Sequence, residues 1–257
     1  MLKQETTSEK LNKSKSLTDS AFVIRARDML YPLLMCLTKS KVHYKVHVLN
    51  TYACLPDKPM IFVANHSAFP DTPIMLRVTG RRSYILGGRQ KLPFLDALFF
   101  TLNGTMWVDR KSREDMAAAK TALIEYLKKG QSILWFPEGT WNLTDHLLML
   151  PMKWGIIDIA KQCDAQIIPT ALDYDRIAMV CTVKFGALMA GGDFEDRAEA
   201  IRNLRDRMAT LRWELMSRYE VVCRGDGTEW MRQEMLQPVR EYPAFDYIYE
   251  SGCVYRG

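Results

Sequence analysis

Asn65-His66-Ser67-Ala68-Phe69-Pro70-Asp71 is the segment whose residue types and spacing point most directly to chemistry. Histidine changes charge near neutral pH, and a carboxylate on one imidazole nitrogen leaves the other to take a proton. On a continuous helix, residues five apart point about 140° from each other, and Pro70 with Pro73 argues against helix here. The pair therefore needs a turn that brings Asp71 back onto His66. In that arrangement His66 is a general base oriented by Asp71, with Nδ1 or Nε2 open for the proton. The competing reading makes Asp71 a helix N-cap beside an incidental histidine.

Three further blocks surround this one. Phe136-Pro137-Glu138-Gly139-Thr140 follows an apolar run, Gly104-Thr105-Met106-Trp107-Val108-Asp109-Arg110 ends on a cation, and Ile167-Ile168-Pro169 comes later. Residues 76–115 hold eight basic side chains, Arg89 and Arg110 among them, against four acidic ones. A cationic island between the histidine block and the Glu138 block draws anionic substrates toward it. His43, His47 and His146 have no partners at useful spacing and read as surface or structural residues. The six cysteines are scattered without a C-x-x-C pair or a metal-ligand rhythm, so no metal and no bound cofactor is implied. Reduced thiols fit a cytosol-facing protein.

The elements that must position these residues alternate. Lys45 to Leu49 reads as a strand, Met60 to Ala64 as a buried strand delivering His66, and Arg82 to Leu86 as a strand broken at Gly87-Gly88. Pro93 to Leu102 suits a short packed helix and Met106 to Val108 an extended piece. Ser112 to Gly130 is a helix opened by a Ser112/Asp115 capping box, with Met116, Leu123 and Leu127 as its apolar stripe. Ser132 to Phe136 is a strand, Lys153 to Lys161 a helix, and Gln166 to Leu172 and Ala178 to Phe185 are strands. From Phe194 to Tyr219 a long helix places Ile201, Leu204, Met208, Leu211 and Leu215 on one face, a core stripe or else a dimer seam. Strand and helix taking turns predict an α/β fold: a single layered domain with a mostly parallel or mixed sheet flanked by helices.

With 48% apolar and 25% charged residues over 257 positions, the chain is neither disordered nor a polytopic membrane protein. Its net charge of +5 lies wholly within residues 1–47, where nine basic side chains face four acidic ones. No domain-wide basic excess exists, which excludes a bulk nucleic-acid binder. Residues 1–20 read as a mobile polar tail without a secretory h-region. Ala21 to Thr38 is apolar in two patches but interrupted by Arg25, Arg27, Asp28 and Pro32, too broken for a spanning helix. Flanked by Lys10, Lys13 and Lys15 before it and Lys39, Lys41 and Lys45 after it, the 21–47 segment reads as an interfacial, membrane-associating helix. The alternative is a helix packed on the core. Residues 48–219 form the main domain and 220–257 a wrap-around tail.

The four blocks in this order resemble the glycerolipid acyltransferase family, that of the 1-acylglycerol-3-phosphate (lysophosphatidate) acyltransferases of PlsC type, from about Lys58 to Leu172. The resemblance implies transfer of a fatty acyl group from acyl-CoA or acyl carrier protein to a lysolipid hydroxyl, in phospholipid biosynthesis, at the cytoplasmic face of a membrane. It makes His66 and Asp71 the catalytic pair, with direct attack of the hydroxyl on the thioester and Asn65 shaping the turn. Arg110 is similar to the family's acceptor-phosphate ligand, and Glu138, Gly139 and Thr140 to its second binding block. Glu138 would accept from glycerol-type hydroxyls or hold an arginine. Arg89 is a second phosphate candidate, and Pro169 is structural or lines the acyl pocket. One departure stands out. The family commonly continues F-P-E-G-T with arginine, whereas Trp141-Asn142 follows here. That gives weight to a less anionic acceptor such as a glycolipid or aminoacyl lipid, unless Lys153 or Arg89 supplies the missing cation. A lipid hydrolase using the same pair lacks a G-x-S-x-G elbow, and a non-catalytic lipid-binding protein has no need of His66, Asp71 and Glu138 together.

Overall fold

The computed structural model describes residues 21–55, 57–88, 92–144 and 147–218, with scattered positions up to 248. The expectations for the 1–20 tail, for Arg89, Lys91 and His146, and for most of 220–257 lie outside the described residues. The strands are β1 (Lys45–Val48), β2 (Met60–Ala64), β3 (Ser83–Gly88), β4 (Thr105–Val108), β5 (Ser132–Trp135), β6 (Trp141–Asn142), β7 (Gln166–Asp175), β8 (Val180–Phe185) and β9 (Tyr247–Ile248). Seven of them form one sheet in the order β1-β8-β7-β2-β5-β3-β4, while β6 pairs with β9. Neighbours from β7 to β4 run parallel, β8 is antiparallel to β7, and β1 runs parallel to β8. The sheet is mostly parallel, as the alternation predicts.

Parallel neighbours require crossovers, and helices supply them. The described helices are α1 (Ala21–Lys41), α2 (Asp71–Val78), α3 (Phe94–Leu102), α4 (Arg113–Lys128), α5 (Gly155–Gln162) and α6 (Arg197–Met216). Side chains alternate along a strand, and β2 divides accordingly. Ile61 and Val63 join the core with Leu123, Ile156 and Leu204 of α4, α5 and α6. Met60, Phe62 and Ala64 join Ile74 and Phe99 of α2 and α3 on the other face. Burial on both faces explains why MIFVA is apolar without alternation. The stripe of α6 packs on the domain's own sheet, with Leu204, Met208 and Leu215 fully buried, which settles core over dimer seam.

Caps set the helix ends. Ser112 Oγ accepts from Asp115 N–H at 3.1 Å, and Gly130 with φ +73° follows the last turn of α4. The reciprocal half of the expected box is absent: the Asp115 carboxylate accepts instead from Asp109 N–H at 3.2 Å, tying the helix to the end of β4. Asp196 caps α6 through Ala198 and Glu199, so this helix starts at Arg197 and not at Phe194, which sits in a 3-10 turn.

Three further expectations are corrected. β3 does not break at Gly87-Gly88 but continues through both, paired with Trp107 and Val108 of β4. Met116 of α4 is exposed, and the buried stripe is Ala119, Ala122, Leu123, Tyr126 and Leu127. The segment 21–47 is likewise divided, because residues from Lys45 onward are a strand of the sheet. α1 runs through Pro32. Arg27 Nη2 donates to Thr101 O at 2.9 Å and Tyr31 OH to Leu76 O at 2.7 Å, so one side of α1 is fastened to α2 and α3. Its other side exposes Met29, Leu30 and Leu33. No described helix is long and apolar enough to cross a membrane.

Candidate active site

β2 ends at the centre of the sheet, and its continuation carries the histidine. Open α/β sheets bind ligands beyond the carboxyl ends of their parallel strands, which is where His66 lies. Asn65 does not shape the turn itself. Its side chain bonds both Leu172 O (3.0 Å) and Leu172 N–H (2.8 Å), pinning the end of β2 to β7. The chain then turns, and Asp71 opens α2 behind Pro70. Its carboxylate Oδ2 lies 2.8 Å from His66 Nδ1 and accepts from Ser67 N–H at 2.6 Å and Ala68 N–H at 2.8 Å. An N-cap accepts from residues that follow it; Asp71 accepts from residues before it. The capping reading therefore fails, and the turn brings Asp71 back onto His66.

Asp71 is 0% exposed, and a carboxylate so placed is tolerable only when its lone pairs are filled. The remaining oxygen, Oδ1, accepts from the hydroxyl of Tyr174 on β7. Burial, and then the charge of Asp71, push the Tyr174 phenol well up, so it stays protonated and remains a donor. The same causes raise the buried Cys181 thiol beside it.

The second imidazole nitrogen is not open, as the sequence alone suggests. Trp141 Nε1–H donates to His66 Nε2 at 3.0 Å. An indole nitrogen can only donate, so Nε2 carries the lone pair and Nδ1 the proton facing Asp71; the tautomer is assigned from this network. Phe136 stacks on the imidazole at 4.2 Å, and the ring of Trp141 stands edge-on at 84°. Trp141 is 0% exposed. The position where an arginine was expected is thus occupied by a buried side chain turned onto His66.

Glu138 also points inward and does not line the cleft, contrary to its expected contact with substrate hydroxyls. Its Oε1 accepts from His66 N–H at 3.1 Å and its Oε2 from Leu150 N–H at 2.8 Å. It braces the backbone that carries His66. Burial pushes its carboxyl up to about 7, against the lowering effect of the two N–H donors and of Arg212. Arg212 reaches under the site from α6, and its Nη1 donates to Leu148 O at 2.6 Å.

Between the ends of β3, β4 and β5 lies a cleft of about 290 Å³ lined by His66, Gly87, Gly88, Thr105, Arg110, Lys111, Gly139, Thr140 and Trp141, with Phe69, Phe100 and Phe136 as aromatic walls. The two glycines keep it open. A Cβ on Gly88 would sit 2.9 Å from Arg110 Nε, and one on Gly87 2.8 Å from Thr105 Cγ2. Arg110 donates to the carbonyl of Gly139, whose φ of +69° suits glycine at this turn. Thr105 Oγ1 and Thr140 Oγ1 are buried with no hydrogen-bond partner among the described residues. Lys153 places its Nζ 3.9 Å from where a Gly139 Cβ would stand, close to the turn though outside the lining. Pro169 pairs with Val63 inside the sheet and is structural.

Sequence reasoning thus brings His66, Asp71, Arg110, Gly139 and Thr140 to one site, places Glu138 behind it, and leaves Arg89 outside the described residues. Tyr174, Phe136, Arg212 and the contact made by Trp141 were missed. Among the described residues no group of three or more His, Cys, Asp or Glu side chains is placed to hold a metal ion.

A family model described as Acyltransferase matches residues 41–173. The chain is 32% identical over 145 residues to the 1-acyl-sn-glycerol-3-phosphate acyltransferase of Saccharomyces cerevisiae, a match covering 53% of this chain and 45% of that protein. It is 29% identical over 116 residues to the protein of the same name from Borreliella burgdorferi, covering 44% and 45%. The chain thus spans under half the length of these relatives. The crystal structure of the 1-acyl-sn-glycerophosphate acyltransferase PlsC from Thermotoga maritima superposes with a TM-score of 0.60 at 18% identity, over 83% of this chain and 90% of that one; this likeness is one of fold.

Proposed function

Since the chain belongs to the acyltransferase family, we propose that it moves a fatty acyl group from an acyl-CoA or acyl carrier protein thioester onto a hydroxyl of a lysolipid. The observation that carries this reading is His66 at the cleft, with Nδ1 tied to a buried Asp71. The acceptor hydroxyl gives its proton to Nε2 as its oxygen attacks the thioester carbonyl. The tetrahedral intermediate collapses, the C–S bond breaks, and the leaving thiolate takes the proton back from Nε2. Asp71 stabilises the imidazolium between the two transfers. A thioester is already activated, so no acyl-enzyme is required; alignment and charge stabilisation suffice. Arg110 and Lys111 provide positive charge for a phosphate of either substrate, and Thr105 and Thr140 provide hydroxyl donors.

The acceptor in this reading is lysophosphatidate or a related lysophospholipid, in keeping with the names of the relatives. The inward turn of Trp141 favours a second acceptor class, a lysolipid without a phosphomonoester, such as a glycolipid or aminoacyl lipid. The protein works at the cytoplasmic face of a membrane as a peripheral or monotopic enzyme, with the exposed side of α1 as its contact. Labelled acyl-CoA and acyl carrier protein, offered with a panel of lysolipids, test the function. A diacyl product that disappears in His66→Ala supports it. Fatty acid released equally with and without acceptor indicates a hydrolase, and no His66-dependent turnover on any pair overturns both.

A further inference from the structure

Trp141 is unexplained by the chemistry above, because acyl transfer calls for a base, positive charge and hydroxyl donors. Yet it is built firmly into the site. Its side chain is fully buried, and the next residue ties the strand to the histidine, with Asn142 N–H donating to His66 O at 2.7 Å. An imidazole acceptor nitrogen has one in-plane lone pair, and an N–H donor at 3.0 Å occupies it. Phe136 covers one face of the same ring, and the His66 side chain is only 15% exposed. The base is therefore committed to a protein donor while no acceptor is bound.

We propose that Trp141 is a positioning residue that keeps water off the base: its indole N–H reserves the Nε2 lone pair until an acceptor hydroxyl displaces it. This rests on the acyl-transfer reading. Two reactions compete for the thioester. In transfer, the lysolipid O–H gives its proton to Nε2, an ester C–O bond forms, and the C–S bond breaks to release the thiol. In hydrolysis, water supplies both proton and oxygen, and the products are fatty acid and thiol. Both nucleophiles offer Nε2 the same kind of O–H donor. They differ in what holds them there, because a lysolipid is anchored by its chain and headgroup and presents its hydroxyl at high effective concentration. A lone water gains one hydrogen bond at Nε2 and breaks the one that Trp141 donates there, with no anchor to offset the loss. Displacement of the indole thus selects the anchored hydroxyl.

The experiment measures thiol release from acyl-CoA with and without a lysolipid acceptor, alongside diacyl product, for wild type and Trp141→Phe. The ratio of hydrolysis to transfer should rise about tenfold in the variant, the factor set by one net hydrogen bond, and the added hydrolysis should vanish in Trp141→Phe combined with His66→Ala. Because Phe leaves space in a buried site, Trp141→3-benzothienylalanine provides a second variant with the shape of indole and no N–H. The same rise is expected there. An unchanged ratio in the benzothienyl variant, with transfer intact in wild type, overturns the role of Trp141 alone. Wild type without His66-dependent transfer overturns the acyl-transfer reading and this inference together.

Discussion

At the scale of single residues, the site is a chain of hydrogen bonds running from Tyr174 through Asp71 and His66 to Trp141. Each link has a measurable consequence. Asp71→Asn keeps the shape but, in the proposed mechanism, removes the charge that steadies the imidazolium, so kcat should fall by about 10³-fold with little change in KM. Tyr174→Phe removes one of four donors to that carboxylate, and a fall of about tenfold is expected. Equal losses in the two variants would contradict a chain in which Asp71 touches the base and Tyr174 does not. Glu138 predicts a pH dependence of stability. The folded protein holds this proton up to about 7, whereas the unfolded chain releases it near 4.5. Stability from the neutral carboxyl is therefore complete below pH 4.5 and lost as the pH rises through about 7, by up to ~3 kcal/mol. Urea unfolding at several pH values, with Glu138→Gln as reference, should show the difference between the two proteins changing over that window and level on either side.

At the scale of elements, the strand ends do the positioning, and the paired glycines of β3 give the sharpest test. Gly88→Ala brings a Cβ to 2.9 Å from Arg110 Nε and 3.0 Å from its Cζ, so the guanidinium must move. KM for the anionic substrate should rise about tenfold with kcat nearly unchanged; an unaltered KM would show that Arg110 does not hold it. In the sequence these glycines looked like the end of a strand, because local propensity disfavours Gly in strands. Pairing with β4 overrides that preference, and the need for close approach explains it. The His66/Asp71 turn was legible because all its parts lie within seven consecutive residues, with Pro70 among them and Pro73 two residues beyond. Tyr174 and Trp141 were not, since they meet Asp71 and His66 across 103 and 75 residues and only the order of the strands brings them together. The inward face of Glu138 was hidden for the same reason, as its partners are backbone N–H groups that no residue pattern announces. The alternation of strands and helices needed only local periodicity, and the fold class followed from it.

At the scale of the whole molecule, α1 and α3 both present exposed apolar side chains on one side of the sheet, while Trp154, Ile177 and Trp213 are exposed singly elsewhere. Phe94 and Leu95 are 77% and 66% exposed, and Met29 and Leu33 are 83% and 59% exposed. The sequence suggested that α3 would pack; Phe99 and Phe100 are its buried apolar residues, while Phe94, Leu95, Leu98 and Leu102 face outward. Phe100 lines the cleft, so a bilayer resting on the outer side of α3 would deliver lysolipid beside His66. Phe94→Asp with Leu98→Asp should weaken sedimentation with anionic vesicles and lower turnover of vesicle-borne acceptor, with turnover of detergent-dispersed acceptor unchanged. Equal losses in both substrate forms would place the effect in the fold and not in docking. In the proposed reading, fold and cleft converge on one atom, His66 Nε2. The most direct measurement is the initial rate of diacyl product formation from labelled acyl-CoA and lysophosphatidate by wild type and His66→Ala at equal folded concentration, with the quenched protein assayed for bound acyl groups. A loss of at least about 10²-fold in the variant, with no acyl group on wild-type protein, is the predicted result; a variant that retains its rate, or a wild-type protein that carries covalent acyl, would contradict direct transfer driven by this histidine.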